Sequence, residues 1–151
     1  MNVDPRGQRF NAALTVIVLA IVLVTGSVWL LAAQALVFGI GAVSGLRYSP
    51  YGFLYRWLVR PRLGPPAELE AEALPRFAQG VGLAFAIIGV IGYAAGVAPL
   101  GMAATAAALA AAFLNAAFGF CLGCEMYVLI QRVRRPRPQT ATPDSDKEVA
   151  A

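Results

Sequence analysis

The sequence predicts an all-α integral membrane fold: four transmembrane helices as two in-out-in hairpins, with short amphipathic helices at the interface. Three observations predict it. Apolar residues make up 59% of the 151-residue chain and charged residues 13%, too apolar a balance for a water-soluble domain of this length. No charge falls in residues 10–46 or 77–124, runs of 37 and 48 residues. Each run holds two crossings, because a helix needs about 20 apolar residues to traverse a hydrocarbon core of ~30 Å. Neither run alternates as a barrel strand would, and lipid offers backbone amides no partner outside a helix.

Residues 1–9 form a cytoplasmic segment carrying Arg6 and Arg9. The membrane domain, 10–135, opens with spans over about 10–26 and 28–46, divided at Thr25-Gly26-Ser27, a turn composition. A cleaved secretory signal is not expected. The apolar stretch before Ala33-Gln34-Ala35 exceeds the ~7 to 15 residues of a signal core.

Ser49-Pro50 then ends the second span, since proline disfavours helix in the residue before it and suits a helix's first turn. An interfacial helix over about 51–60 follows, with Tyr51, Leu54, Trp57 and Leu58 on the apolar side and Arg56 and Arg60 as cationic heads. The third and fourth spans cover about 77–96 and 100–119, divided at Gly96-Val97-Ala98-Pro99. A second interfacial helix is expected over about 121–134, and a proline-rich polar tail, 136–151, is expected to be disordered.

Arginines flank the first span, fill the connection between spans two and three, and follow span four, whereas the two tight turns carry no charge. Positive residues stay on the cytoplasmic side, so both termini are expected there. This topology accounts for the net charge of +4 without a nucleic-acid partner. No charged residue lies within a span, which argues against proton pumps and most ion-coupled carriers. No phosphate loop, catalytic triad or pair of carboxylates on one face is present.

The halves resemble each other. Arg9-Phe10 opens the first and Arg76-Phe77 the second; Arg60-Pro61-Arg62 closes the first and Arg135-Pro136-Arg137 the second. Such a duplication relates the halves by a pseudo-twofold along the membrane normal. Aligning the closing motifs sets Leu46–Ser49 against Cys121–Cys124, so a helix break is expected between Gly119 and Cys124. The cysteines would then begin a helix, where the peptide dipoles lower a thiol's pKa.

Cys121 and Cys124 are the only cysteines. At 100° per residue they share a face with Glu125, Gln131 and Arg132, opposite Leu122, Met126, Leu129, Ile130 and Val133, and that polar face is expected to meet water. Three readings follow. The pair fills space between helices. Or it is a catalytic dithiol, redox or persulfide-carrying, with Glu125 as proton acceptor and Arg132 and Arg135 favouring the thiolate. Or Cys121 and Cys124 bind metal in a dimer, since the chain has no histidine to complete a site. A resident cofactor is not expected, and the cytoplasm favours thiols over a structural disulfide.

Gly41/Gly45, Gly92/Gly96 and the alanine-rich stretch 103–112 suit close helix packing, within one bundle or across a homodimer. Asn11, Gln34, Gln79 and Asn115 are the polar side chains in or beside the spans.

Arg-Phe-Asn-Ala-Ala-Leu at 9–14, Leu-Val-Arg-Pro-Arg-Leu-Gly-Pro-Pro-Ala-Glu-Leu at 58–69, Pro-Arg-Phe-Ala-Gln-Gly at 75–80 and Leu-Asn-Ala-Ala-Phe-Gly-Phe-Cys-Leu-Gly-Cys-Glu-Met-Tyr at 114–127 carry a resemblance. Together they resemble a family of small four-helix bacterial membrane proteins catalogued as a domain of unknown function, over residues 9 to about 132. The Gly-Phe-Cys-x-Gly-Cys motif is its most specific part, and the resemblance implies a bacterial plasma membrane, lipid on all sides and no particular chemistry. More loosely, Gly119-Phe120-Cys121 is similar to the Gly-x-Cys-Pro-x-Tyr that closes a hairpin in rhodanese-linked inner-membrane proteins, with Leu122 in place of the proline. That similarity implies sulfur transfer, with a thioredoxin-like or rhodanese partner in the cytoplasm.

Overall fold

The computed structural model describes residues 2–64 and 70–134; the expected tail, 136–151, and the Arg135-Pro136-Arg137 motif lie outside the described residues. Helix α1, Pro5–Thr25, begins well before residue 10. Asp4 caps it, its carboxylate accepting the Arg6 N–H at 2.9 Å, and Pro5 occupies the first helical position. These are polar start signals that hydropathy does not register. Gly26 ends the helix in the left-handed region, φ 64°.

Helix α2, Val28–Ser44, starts under a Ser27 hydroxyl that accepts the Leu30 N–H at 3.3 Å. Beyond it, a tight helical turn at Leu46–Tyr48 leads to helix α3, Pro50–Leu54, whose winding loosens at Tyr55–Val59 and tightens again at Arg60–Arg62. The expected interfacial helix over 51–60 is therefore helical but irregular. Helix α4, Ala73–Ala94, and helix α5, Ala98–Phe118, turn about Gly96, and Gly119 (φ 69°) separates α5 from helix α6, Leu122–Arg134. Strand β1, Asn2–Val3, pairs antiparallel with strand β2, Glu70–Ala71, a two-residue ladder that the apolar pattern gave no reason to expect.

Helices α1, α4 and α5 are each long and apolar enough to cross a membrane, whereas α2 is apolar but shorter. Its 17 residues rise about 25 Å at 1.5 Å each, less than the ~30 Å hydrocarbon core. Large apolar side chains cover the outside: Val24 is 87% exposed, Trp29 86% and Val43 74%. Such a surface has its partner in lipid, and the chain is built as a membrane protein.

The first helix of each half packs on the second helix of the other, α1 on α5 and α4 on α2, while α4 also packs on α5. Leu19, Val22, Leu31, Phe38, Ala86 and Ala108 form the core. Gln34, 2% exposed, is satisfied inside it: its amide donates to the Thr15 hydroxyl at 3.4 Å and its carbonyl accepts the Tyr51 hydroxyl at 2.7 Å.

The repeated arginines do equivalent work. Arg9 donates to the Ala116 and Ala117 carbonyls, both at 3.4 Å, at the end of α5; Arg76 donates to Ala42 at 3.0 Å and Val43 at 2.5 Å, at the end of α2. Each supplies donors to carbonyls that a helix terminus leaves open. The adjoining phenylalanines also match, Phe10 lying 5.8 Å from Tyr55 and Phe77 5.5 Å from Tyr127, ring centre to ring centre.

The glycine pairs divide their labour within the chain. Gly41 receives the Gln79 side chain, and Gly92 lies against the Gly101 backbone, where a Cβ would come within 2.6 Å of the amide nitrogen. Gly45 and Gly96 instead adopt positive φ at helix ends.

Candidate functional site

The break expected between Gly119 and Cys124 is present, and it defines the site. Helix α5 closes with the Gly119 N–H on the Asn115 carbonyl at 3.0 Å. The chain then reverses through Phe120 and enters α6 with Cys121 at its cap: the Cys121 carbonyl accepts the Glu125 N–H at 3.0 Å, the first bond of the helix. Cys124 follows three residues on, at the third helical position. Both side chains are thiols, each half-buried.

A cap residue's side chain meets the open N–H groups of the first turn, a place Ser, Thr, Asp or Asn usually takes. Here a sulfur takes it. The groups that favour a charged Cys121 sulfur are the Cys124 side chain, the backbone N–H groups of Cys124 and Gly123, and Gln8. The Cys124 side chain contributes most to holding the Cys121 pKa below the ordinary thiol value, at about 7, against a half-burial that pushes it up. Donors aimed at a sulfur favour its charged form. The shift thus comes from hydrogen bonds at a helix start rather than from arginine charge; Arg132 is not among its causes, and Arg135 lies outside the described residues.

Gln8 belongs to the first turns of α1 and is 8% exposed. Its side-chain amide donates to Cys124 Sγ at 3.4 Å, and Gln8 also favours the charged form of Cys121. Sequence reasoning missed it, because Gln8 precedes the apolar run and only the fold carries residue 8 to residue 124. Gly123, between the cysteines, is buried against α4, where a Cβ would come within 2.6 Å of Ala78 Cα. Glycine there seats the start of α6 directly on α4.

The outlook of the pair differs from the expected wet face. Gly123 is buried, and Cys121, Cys124 and Tyr127 are half-buried toward the bundle, while Leu122, Met126, Leu129 and Val133 are exposed, Val133 at 80%. The arc assignments hold, but α6 turns its apolar arc outward. Gln131 and Arg132, on the same arc as the cysteines, are exposed as well, so what turns toward the bundle is Gly123 with the half-buried Cys121, Cys124 and Tyr127. Glu125 is exposed and is not among the partners of the Cys121 thiol. Among the described residues no cluster of three metal-ligating side chains occurs.

A half-open cavity of about 360 Å³ runs from Cys121 into the bundle between α1, α4 and α5. Of the polar residues noted from sequence, Gln79 and Asn115 line it, together with Gln8 and Thr15; Asn11 is buried with its Oδ1 unpartnered.

One family model, described as Domain of unknown function (DUF4395), matches residues 3–132. No curated protein and no solved structure matches the chain.

Proposed function

We propose a function from one premise: the chain belongs to the family described as Domain of unknown function (DUF4395), and its most chemically distinctive feature is the Cys121/Cys124 pair. The protein exchanges thiols for disulfides, or passes sulfane sulfur, with a soluble thioredoxin-like or rhodanese partner at the cytoplasmic face of a bacterial plasma membrane. The observation that carries this reading is Cys121 at the cap of α6, its thiol at a pKa of about 7 and hydrogen-bonded to the Cys124 side chain. Near neutral pH the Cys121 sulfur is an available thiolate with a second thiol three residues away.

In the exchange the Cys121 thiolate attacks a disulfide sulfur of the partner, forming a mixed disulfide and releasing the partner's other sulfur as a thiolate. The Cys124 thiolate, its proton passed to water, then attacks Cys121 Sγ. The second partner thiol leaves and a Cys121–Cys124 disulfide remains, so the partner is reduced by two electrons and the pair oxidised by two. With a persulfide donor, Cys121 takes the terminal sulfur and the donor leaves as a thiolate. Gln8 positions Cys124 and stabilises charge on either sulfur.

Four crossings support the site, with α2 carried to the interface by the turn at Leu46–Tyr48, both termini cytoplasmic by the arginine distribution, and α3 and α6 lying along the surface. Partner trapping tests the chemistry. Cys124→Ser should accumulate a mixed disulfide on Cys121 and Cys121→Ser should not; equal trapping by both, or by neither, rejects the exchange.

The half-burial of both sulfurs favours one rival, a structural or transport subunit whose cysteines pack. It predicts a doubly serine-substituted protein with unchanged stability and phenotype.

A further inference from the structure

The cavity beside the dithiol is shaped by small residues. Ala108, Ala111 and Ala112 of α5 face Ala78 and Gly82 of α4 across it, so α4 and α5, pinched together at Gly92 and Gly101, leave room between them at the cysteine end. Its volume falls within the range of small-molecule sites. Phe85 and Ala107 line it and are also exposed, at the middle of two helices long enough to cross a membrane. The mouth therefore opens at membrane depth.

Apart from the Cys121 sulfur, the lining carries no side chain that ionises, so the occupant is neutral. It is not purely hydrocarbon, because Gln79 and Asn115 present carboxamides with no hydrogen-bond partner among the described residues. Open amide donors in an apolar pocket suit a ligand with carbonyl oxygens. Cys121 lines the same pocket.

We propose that this cavity takes a lipid-soluble quinone, which enters between α4 and α5 and oxidises the Cys121/Cys124 dithiol. Two S–H bonds break and one S–S bond forms; two electrons and two protons pass to the quinone oxygens, which leave as the quinol. The inference rests on the dithiol reading above, with the exchange run in reverse, and adds its second substrate: a soluble dithiol reduces the Cys121–Cys124 disulfide and becomes a disulfide itself, and the two electrons depart into the membrane.

The test uses the full chain, reduced and anaerobic in lipid nanodiscs, with a decyl-substituted benzoquinone. Quinol is followed by ultraviolet absorbance and the Cys121–Cys124 disulfide by mass spectrometry. Wild-type protein should yield one quinol per disulfide formed. Ala111→Phe, which fills the cavity, and Ala107→Phe, which blocks its exposed rim, should each slow the reaction at least about tenfold, the effect of losing ~1.4 kcal/mol of binding; Ala106→Phe, exposed and off the cavity, should not. Circular dichroism identifies a misfolded variant, and two independent positions keep the comparison decisive.

Equal rates in all variants, or a cavity that retains lipid and reduces no quinone, overturns the proposal. Glutathione disulfide separates the two claims. If it oxidises the wild-type pair and the quinone does not, the quinone site alone is rejected; if neither oxidant does, the dithiol reading falls with it.

Discussion

At the residue scale the protein places a thiol where helices ordinarily carry a hydroxyl or carboxylate, and Cys121 acquires thiolate character from the N–H groups and side chains around it. With its pKa near 7, its alkylation rate should rise to half-maximum at about that pH, below the ~8.5 of an unperturbed thiol. Gln8→Leu removes one donor and should move the midpoint upward, read from iodoacetamide kinetics between pH 5 and 10. The sign for stability follows from the lowered folded-state value. The ionised cap stabilises the fold above the unfolded thiol's pKa, and that contribution fades as pH falls through about 7. Gly123→Ala forces a methyl against Ala78 Cα; overpacking of this kind costs ~1 to 3 kcal/mol, and a lowered thermal midpoint with faster thiol labelling is the expected result. The cysteines were legible as a pair at a helix start from Gly119 and the repeat. Gln8 was not, since a hydrogen bond across 116 positions of chain leaves no local trace.

Among the elements, positive-φ glycines and cross-half arginines decide where helices stop. Gly119 holds φ 69°, so Gly119→Ala should destabilise by ~1 to 2 kcal/mol, the left-handed penalty for a residue with Cβ, and should loosen the thiol environment of Cys121. Arg9→Ala and Arg76→Ala each strip two carbonyls of donors. A loss of ~1 kcal/mol or more in each should appear in denaturation followed in detergent; the paired Arg-Phe motifs mark the two halves as alike, and the fold supplies the equivalent bonds. Turn chemistry at Gly26, Gly96 and Gly119 was readable because glycine's freedom is a local property, but the end of α2 at Gly45 was not, since Ser49-Pro50 offered a stronger local stop signal and Gly45 suited helix packing. The early start of α1 at Asp4-Pro5 and the β1–β2 ladder went unread, for capping and strand pairing are polar events outside the apolar runs.

For the whole molecule, the arginine distribution makes a topological prediction. In a variant lacking Cys121 and Cys124, a single cysteine placed at Ser27 or Val97 should react with a membrane-impermeant maleimide from outside intact cells, and one placed at Arg62 should not. Reaction at Arg62 from outside would reverse the orientation proposed here. Helix α2, at 17 residues, is the proposed crossing that this labelling examines most stringently.

The sequence by itself determined that the chain is helical, lipid-facing and broken at Gly26, Gly96 and Gly119, because burial in a bilayer and backbone freedom depend on composition and on single residues. It also set Cys121 and Cys124 on one arc of α6. Only the tertiary structure decided that the two sulfurs turn toward the bundle while Glu125, Gln131 and Arg132 stay exposed, that Gln8 reaches Cys124, and that alanines leave a cavity rather than a tight contact. The physical reason is that a helix pattern specifies two faces without specifying which neighbour each will meet, and that choice is made by packing between segments far apart in the chain.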